Sequence, residues 1–318
     1  MVLVKKHKLK FLDNFISQLS MGIPFVDWAE KITQELVDNA ITKKYVIDID
    51  QLLKYKNITL RFANKQNESI YKAHLIKNNN CFELILNTDR VTNNNEIRFI
   101  IAHEIAHTLF YQKTKDGIEK NSNLSYGSQE VENICDYLAL CLLLPKNYVE
   151  EEIGVFKKDN INLKNKNENF LKFIFHLAAK YQIDWHYIAY RLIYIYNFLP
   201  NSLCIEFSKK LIWQIKWVSQ TQELSDKKLF IPIRQKAESK FPSAKRAFEI
   251  ILNEALAKGI SYGYVIVSKQ HFTSNYQGNI KQFIKIYFTN EYDKLKIYFR
   301  INRSDNIILL FPFNGLLK

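Results

Sequence analysis

The chain has 318 residues, of which 47% are apolar and 14% aromatic, enough for two or three domains with a sizeable buried core. Gly (8) and Pro (6) are scarce, which excludes collagen-like and linker-dominated architectures. The net charge of +13 is uneven: residues 201–318 hold 19 basic and 9 acidic residues, which leaves 45−19 = 26 against 32−9 = 23 elsewhere.

Taken in chain order, the start MVLVKKHKLKFLDNF lacks an apolar run of signal-peptide length. Residues 11–40 read as helix, with Leu12, Phe15, Ile16 and Leu19, then Trp28, Ile32 and Leu36, at helical spacing. Residues 45–62 read as a short strand, a short helix and a strand over Thr59–Phe62. Residues 70–76 and 81–87 alternate as two strands. A helix follows from about Glu96 to Tyr111, capped by Asn94 or Asn95, and then a polar connection over 114–127. Ser128 can cap the next helix, which Pro145 ends near Leu144. The longest apolar run, Tyr137–Leu144, is far short of the ~20 residues of a membrane span.

Residues 154–167 read as a boundary loop, and 168–198 as helices broken near Gln182–Asp184. Leu171, Ile174, Phe175, Ala178 and Ala179 can pack against Ile188, Leu192 and Ile195. A helix runs from Pro242 or Ser243 to Lys258, followed by strands over 262–268, 284–289, 294–301 and 307–312. The basic 201–318 region suits DNA, another anionic ligand or an acidic partner; the alternative is a Lys-rich solvated surface. The cysteines Cys81, Cys135, Cys141 and Cys204 form no CxxC pair. Together these features indicate a cytoplasmic protein with reduced thiols and no membrane partner.

The chemistry is concentrated in IleAlaHisGluIleAlaHis, 101–107. On a helix, residues i and i+4 lie about 40° apart, so His103 and His107 face one point. Each can place a nitrogen ~2.0–2.1 Å from zinc. Glu104, turned about 100° from His103, can reach a metal-bound water as general base without ligating the ion. A chance HExxH in a chain with 7 His is on the order of 1 in 100. Ile97, Ile100, Ile101, Ile105, Leu109 and Phe110 make the helix apolar nearly all round. Two histidines and a carboxylate buried there without partners would be costly.

A third ligand is required, and Glu132 is the best candidate. Asp136, at i+4 from Glu132, can accept the free N–H of a zinc-bound imidazole. Glu130 lacks such support and reads as a solvated charge at the helix start. Cys135 could ligate but reads better as a buried thiol. Tyr126 and Tyr111 are candidates for stabilising an oxyanion, with packing as the alternative. Arg98 suits a carboxylate that steadies the helix. His7, His74, His176, His186 and His271 have no partner at ligand spacing.

Three stretches resemble the ImmA/IrrE family of metallopeptidases: ArgPheIleIleAlaHisGluIleAlaHis (98–107), GluAsnIleCysAspTyrLeuAlaLeuCysLeuLeuLeuPro (132–145) and LeuAlaAlaLysTyrGlnIleAspTrpHisTyrIleAlaTyrArgLeu (177–192). Leu138 replaces a common Phe, and Ile183-Asp184 a common Val-Ser. The resemblance spans about residues 20–195. It implies an α+β chain with a zincin-like peptidase domain over 1–153 and a helix-turn-helix-like segment over 165–199. Some members carry a GAF-like sensor domain next, and the length of the chain fits such an α+β domain over 200–318.

The resemblance further implies one Zn2+ per chain, with Mn2+ as the in vivo alternative, held by His103, His107 and Glu132. Its implied activity is a site-specific cut in a helix-turn-helix repressor that releases stress, DNA-damage or mobile-element genes. A substrate segment is expected to add to an edge strand such as 81–87. Two other readings stand beside it: a metal-dependent DNA-binding regulator without proteolysis, and an unrelated zinc hydrolase of small peptides.

Overall fold

In the first helix, α1 (Phe25–Asn39), the buried residues Phe25, Ala29, Leu36 and Val37 fall on one face. Thr33 lies in the same stripe, and its hydroxyl donates to the Ala29 carbonyl at 2.6 Å. The computed structural model describes residues 25–39, 46–63, 72–91, 93–114, 117–120, 129–159, 166–196, 198, 203–209, 213–220, 257, 262–268, 294–303 and 306–311. The part of the expected helix at 11–24, the cap Ser128, the helix from 242 to 258 apart from the helical Ala257, and the strand at 284–289 lie outside these.

Helix α2 (Ile49–Tyr55) begins where the Asp48 carboxylate accepts the Gln51 N–H at 3.2 Å. This cap takes up the backbone just where a short strand was expected, and residues 46–48 are irregular. Strands β1 (Ile58–Ala63), β2 (Ala73–Lys77) and β3 (Phe82–Asn87) form a sheet in the order β1-β3-β2. Asn57, at φ 54, turns the chain into β1, and its Nδ2 donates to the Asn80 carbonyl at 2.7 Å.

Strand β3 runs parallel to β1 and antiparallel to β2. It is therefore the central strand, which corrects the expectation that 81–87 is an edge. The physical reason is its apolarity: Phe82, Leu84 and Leu86 are buried, so both its edges need covering by partners. The edges are β1 and β2.

Helix α3 (Asn94–His107) starts from Asn93, whose Oδ1 accepts the Glu96 N–H at 2.9 Å, one residue before the expected caps. It also ends earlier than expected. Thr108–Phe110 tighten into a 3₁₀ turn in which the Thr108 hydroxyl donates to the Ile105 carbonyl at 2.7 Å. Tyr111 then opens strand β4 (Tyr111–Thr114), which pairs with β5 (Gly117–Lys120), so a hairpin occupies part of the expected connection. Arg98 fixes α3 to the segment before α2, its Nη2 donating to the Ile47 carbonyl at 2.9 Å, with the Asp48 charge nearby.

Helix α4 (Gln129–Leu143) stops before Pro145, as the proline requires. It packs against α3, and both helices carry residues with no exposed surface: Ala102, Ile105 and Ala106 on one, Cys135, Leu138 and Ala139 on the other. Small side chains at this contact let the two backbones approach. Helix α5 (Lys146–Asp159) continues through part of the expected boundary loop. Val149, Ile153 and Phe156 bury one face, while the polar residues that suggested a loop form its solvent face and last turn.

Helix α6 (Lys166–Tyr181) ends at Gln182, φ 54, and the Ile183 N–H reaches back to the Ala178 carbonyl at 3.1 Å. This is a Schellman closure, with Ile183 fully buried. The buried Glu152 of α5 accepts from the Tyr181 hydroxyl at 3.0 Å and from Lys180. Helix α7 (Trp185–Tyr190) continues as a π-helical turn over Arg191–Ile195. Leu171, Ile174, Ile188 and Leu192 are all buried, as the packing reading requires, whereas Ala179 is exposed.

The chain divides into two compact units, Met1–Ile161 with Leu177–Asp184, and Asn162–His176 with Trp185–Lys318. The second holds a five-stranded antiparallel sheet in the order β7-β6-β10-β9-β8. Its strands are β6 (Leu203–Lys209), β7 (Trp213–Gln220), β8 (Tyr262–Ser268), β9 (Lys294–Arg303) and β10 (Asn306–Phe311). Strands β6 and β7 were not anticipated. The chain is thus a mixed α+β protein. Among the described residues no helix is long and apolar enough to cross a membrane.

Candidate metal centre

Helices α3 and α4 bring the chemistry together because each places its polar residues on the face turned to the other. On α3, His103 and His107 are one turn apart. On α4, Glu132, Cys135 and Asp136 fall at i, i+3 and i+4, hence on one face. His103 Nε2 lies 3.1 Å from Glu132 Oε2 and 3.1 Å from His107 Nε2. His107 Nε2 is 3.6 Å from Glu132 Oε1. A tetrahedral ion with bonds of ~2.0–2.1 Å separates its ligands by about 3.4 Å, so these spacings fit one. Among the described residues, His103, His107 and Glu132 are a group able to hold a metal ion.

The other nitrogen of each ring is braced from α4. His103 Nδ1 is 2.9 Å from Asp136 Oδ1, and His107 Nδ1 is 3.3 Å from Cys135 Sγ. The side-chain exposures grade across the site: 3% for His107, 13% for His103 and 37% for Glu132. Solvent therefore reaches the centre from the carboxylate side, which is what a site with an open coordination position needs.

The electrostatics describe a site that seeks positive charge. Burial pulls the His103 pKa down, but the hydrogen bonds to Asp136 and Glu132 outweigh it and raise it to about 10. The same two imidazoles hold the Glu132 carboxyl well below the usual carboxylate range, through hydrogen bonds from His103 and His107. Burial pushes the Glu104 carboxyl up, partly offset by His107 and His103. Burial also drives the Cys135 thiol well up, reinforced by the charges of Glu132, Glu104 and Asp136. A divalent ion on the three donors would take over the charge that a proton otherwise supplies.

Of the residues singled out from the sequence, His103, Glu104, His107, Glu132 and Asp136 are gathered here. Tyr126 lies outside the described residues, and so does the side chain of Glu130. Tyr111 stacks edge-on against Phe82 at 5.3 Å between centroids, a packing role. Of the remaining histidines, His176 is exposed and His186 lies against the Trp185 ring at 4.0 Å. His7 and His271 lie outside the described residues.

Cys135 is a buried thiol, as read from the sequence, but its contact with His107 was not anticipated; the i+3 spacing from Glu132 was the signal for it. His74, exposed on β2, lies within electrostatic reach of Glu104, which its positive form would favour as a carboxylate. No local pattern marks it, because that proximity arises from β2 running beside α3. No family model and no curated protein matches the chain.

Proposed function

We propose that the chain is a zinc-dependent endopeptidase acting on a helix-turn-helix transcriptional repressor. The observation that carries this reading is the convergence of two imidazole nitrogens and one carboxylate beside a half-buried glutamate that is not among those three donors. A structural zinc site is closed and needs no base, whereas a catalytic one keeps three protein ligands and an open position. The choice of zinc, with Mn2+ as the alternative, follows from the N,N,O donor set and the resemblance to ImmA/IrrE peptidases. The repressor as substrate rests on that resemblance alone.

When bound, zinc would supply Lewis acidity to the scissile carbonyl and to the attacking water. His103, His107 and Glu132 would hold it, and Asp136 would keep the His103 ring turned with Nε2 inward. Glu104 would accept the proton of the attacking water on its carboxylate and deliver it to the leaving amine. An extended substrate segment would pair with β2, the edge strand beside α3, whose start is tied to α3 by the Lys72–Glu96 ion pair.

The second unit supports a sensor reading: an antiparallel α+β sheet in a basic region suits a GAF-like module that takes an anionic ligand. The same basic region favours one alternative, a metal-dependent regulator that binds DNA without cutting protein. Co-expression with a helix-turn-helix repressor encoded beside this chain separates the two. Cleavage that Glu104→Gln abolishes supports the peptidase. Salt-dependent DNA binding with the repressor left whole would transfer support to the regulator.

A further inference from the structure

Helix α4 does more than supply a ligand. Its residues at i, i+3 and i+4 address three different atoms of the centre: Glu132 faces both Nε2 atoms, Asp136 meets His103 Nδ1, and Cys135 meets His107 Nδ1. The Cys135 sulfur is fully buried, 3.3 Å from that nitrogen and on the far side of the ring from the converging donors. It is therefore placed to support a ligand and not to be one.

The geometry points to Cys135 as a positioning residue for the metal centre: its sulfur accepts the His107 Nδ1 hydrogen and so holds Nε2, unprotonated, toward the ion. This rests on the proposed metal site and adds to it an asymmetry between the two histidines. His103 is oriented by a carboxylate, a strong acceptor, and His107 by a cysteine sulfur, a weak one. The weaker acceptor leaves His107 less firmly oriented than His103. It also explains a cysteine amid the apolar contact between α3 and α4, where an alanine would pack.

The test uses the full chain and zinc affinity measured by competition with a chromogenic chelator. Cys135→Ser keeps an acceptor of similar size and is expected to bind zinc within about threefold of the unsubstituted chain. Cys135→Ala removes the acceptor and is expected to lose about 10-fold, the lower end of what a supporting partner costs. If the alanine chain does not fold by circular dichroism, Cys135→Val fills the space without an acceptor and takes its place, with the same expected loss. A cysteine that merely packs gives the reverse pattern, alanine or valine equal to the unsubstituted chain, and that result overturns the inference while leaving the metal site standing. If the unsubstituted chain binds no zinc at all, the metal site itself fails, which is a separate and distinguishable outcome. Sulfur acting as a ligand would appear as equal large losses in the serine and alanine chains, and would also overturn the inference.

Discussion

The helices of the candidate metal centre and the C-terminal sheet are built on opposite plans. In the first, α3 and α4 bury polar side chains on purpose: His107 is 3% exposed and His103 13%, and each ring is held at its second nitrogen. In the second, five antiparallel strands follow a regular ladder interrupted by two register shifts. A buried polar cluster costs free energy unless every group is satisfied. A ladder satisfies its backbone without side-chain chemistry. The first arrangement therefore asks for a ligand to complete it, and the second stands by itself.

The sharpest way to break this contrast is to remove chemistry while leaving the metal site filled. Glu104→Gln is expected to lower the rate of repressor cleavage by ~10²–10⁴-fold while zinc content stays at one per chain. Loss of zinc in the same variant would move Glu104 into the ligand set. Next in size, Glu132→Ala removes a donor. Zinc affinity, by competition titration, should fall by more than the ~10–100-fold a supporting residue costs. Asp136→Asn is expected to cost ~10–100-fold, because the amide can present Nδ2 where the carboxylate accepted and so disfavour the required tautomer of His103.

Chelation tests the contrast itself. Zinc at ~100 times its Kd stabilises its unit by about 2.7 kcal/mol. Stripping it should speed amide exchange in α3 and α4 and leave β6 to β10 unchanged. Equal acceleration in both would show that the sheet depends on the metal too. The smallest effect is expected at Arg98→Ala, which loses the 2.9 Å bond to the Ile47 carbonyl. About 1.5 kcal/mol of stability should go, read by denaturant titration, with zinc affinity unchanged.

What the sequence revealed tracks how local each signal is. The HExxH geometry follows from the helical period alone, so His103, Glu104 and His107 were readable, and Glu132 with Asp136 was readable from a second helix with its own period. Pro145 and Gln182 marked ends that the backbone respects. Pairing partners are not local. The apolar residues of 81–87 ask for cover on both edges, but which segment supplies it is not local: β1 arrives from 58–63. The same holds for β6, whose partner β10 lies about 100 residues on, while β7 pairs with β6 alone. Polar composition also misled at 154–159, where Lys157 and Lys158 complete a helix rather than interrupt it.

The measurement closest to the centre of this account is zinc K-edge X-ray absorption on the loaded full chain. Two imidazoles and a carboxylate predict a shell of nitrogen and oxygen alone, at ~2.0–2.1 Å, with histidine ring scattering. A sulfur contribution at ~2.3 Å, or a shell without imidazole, would contradict it.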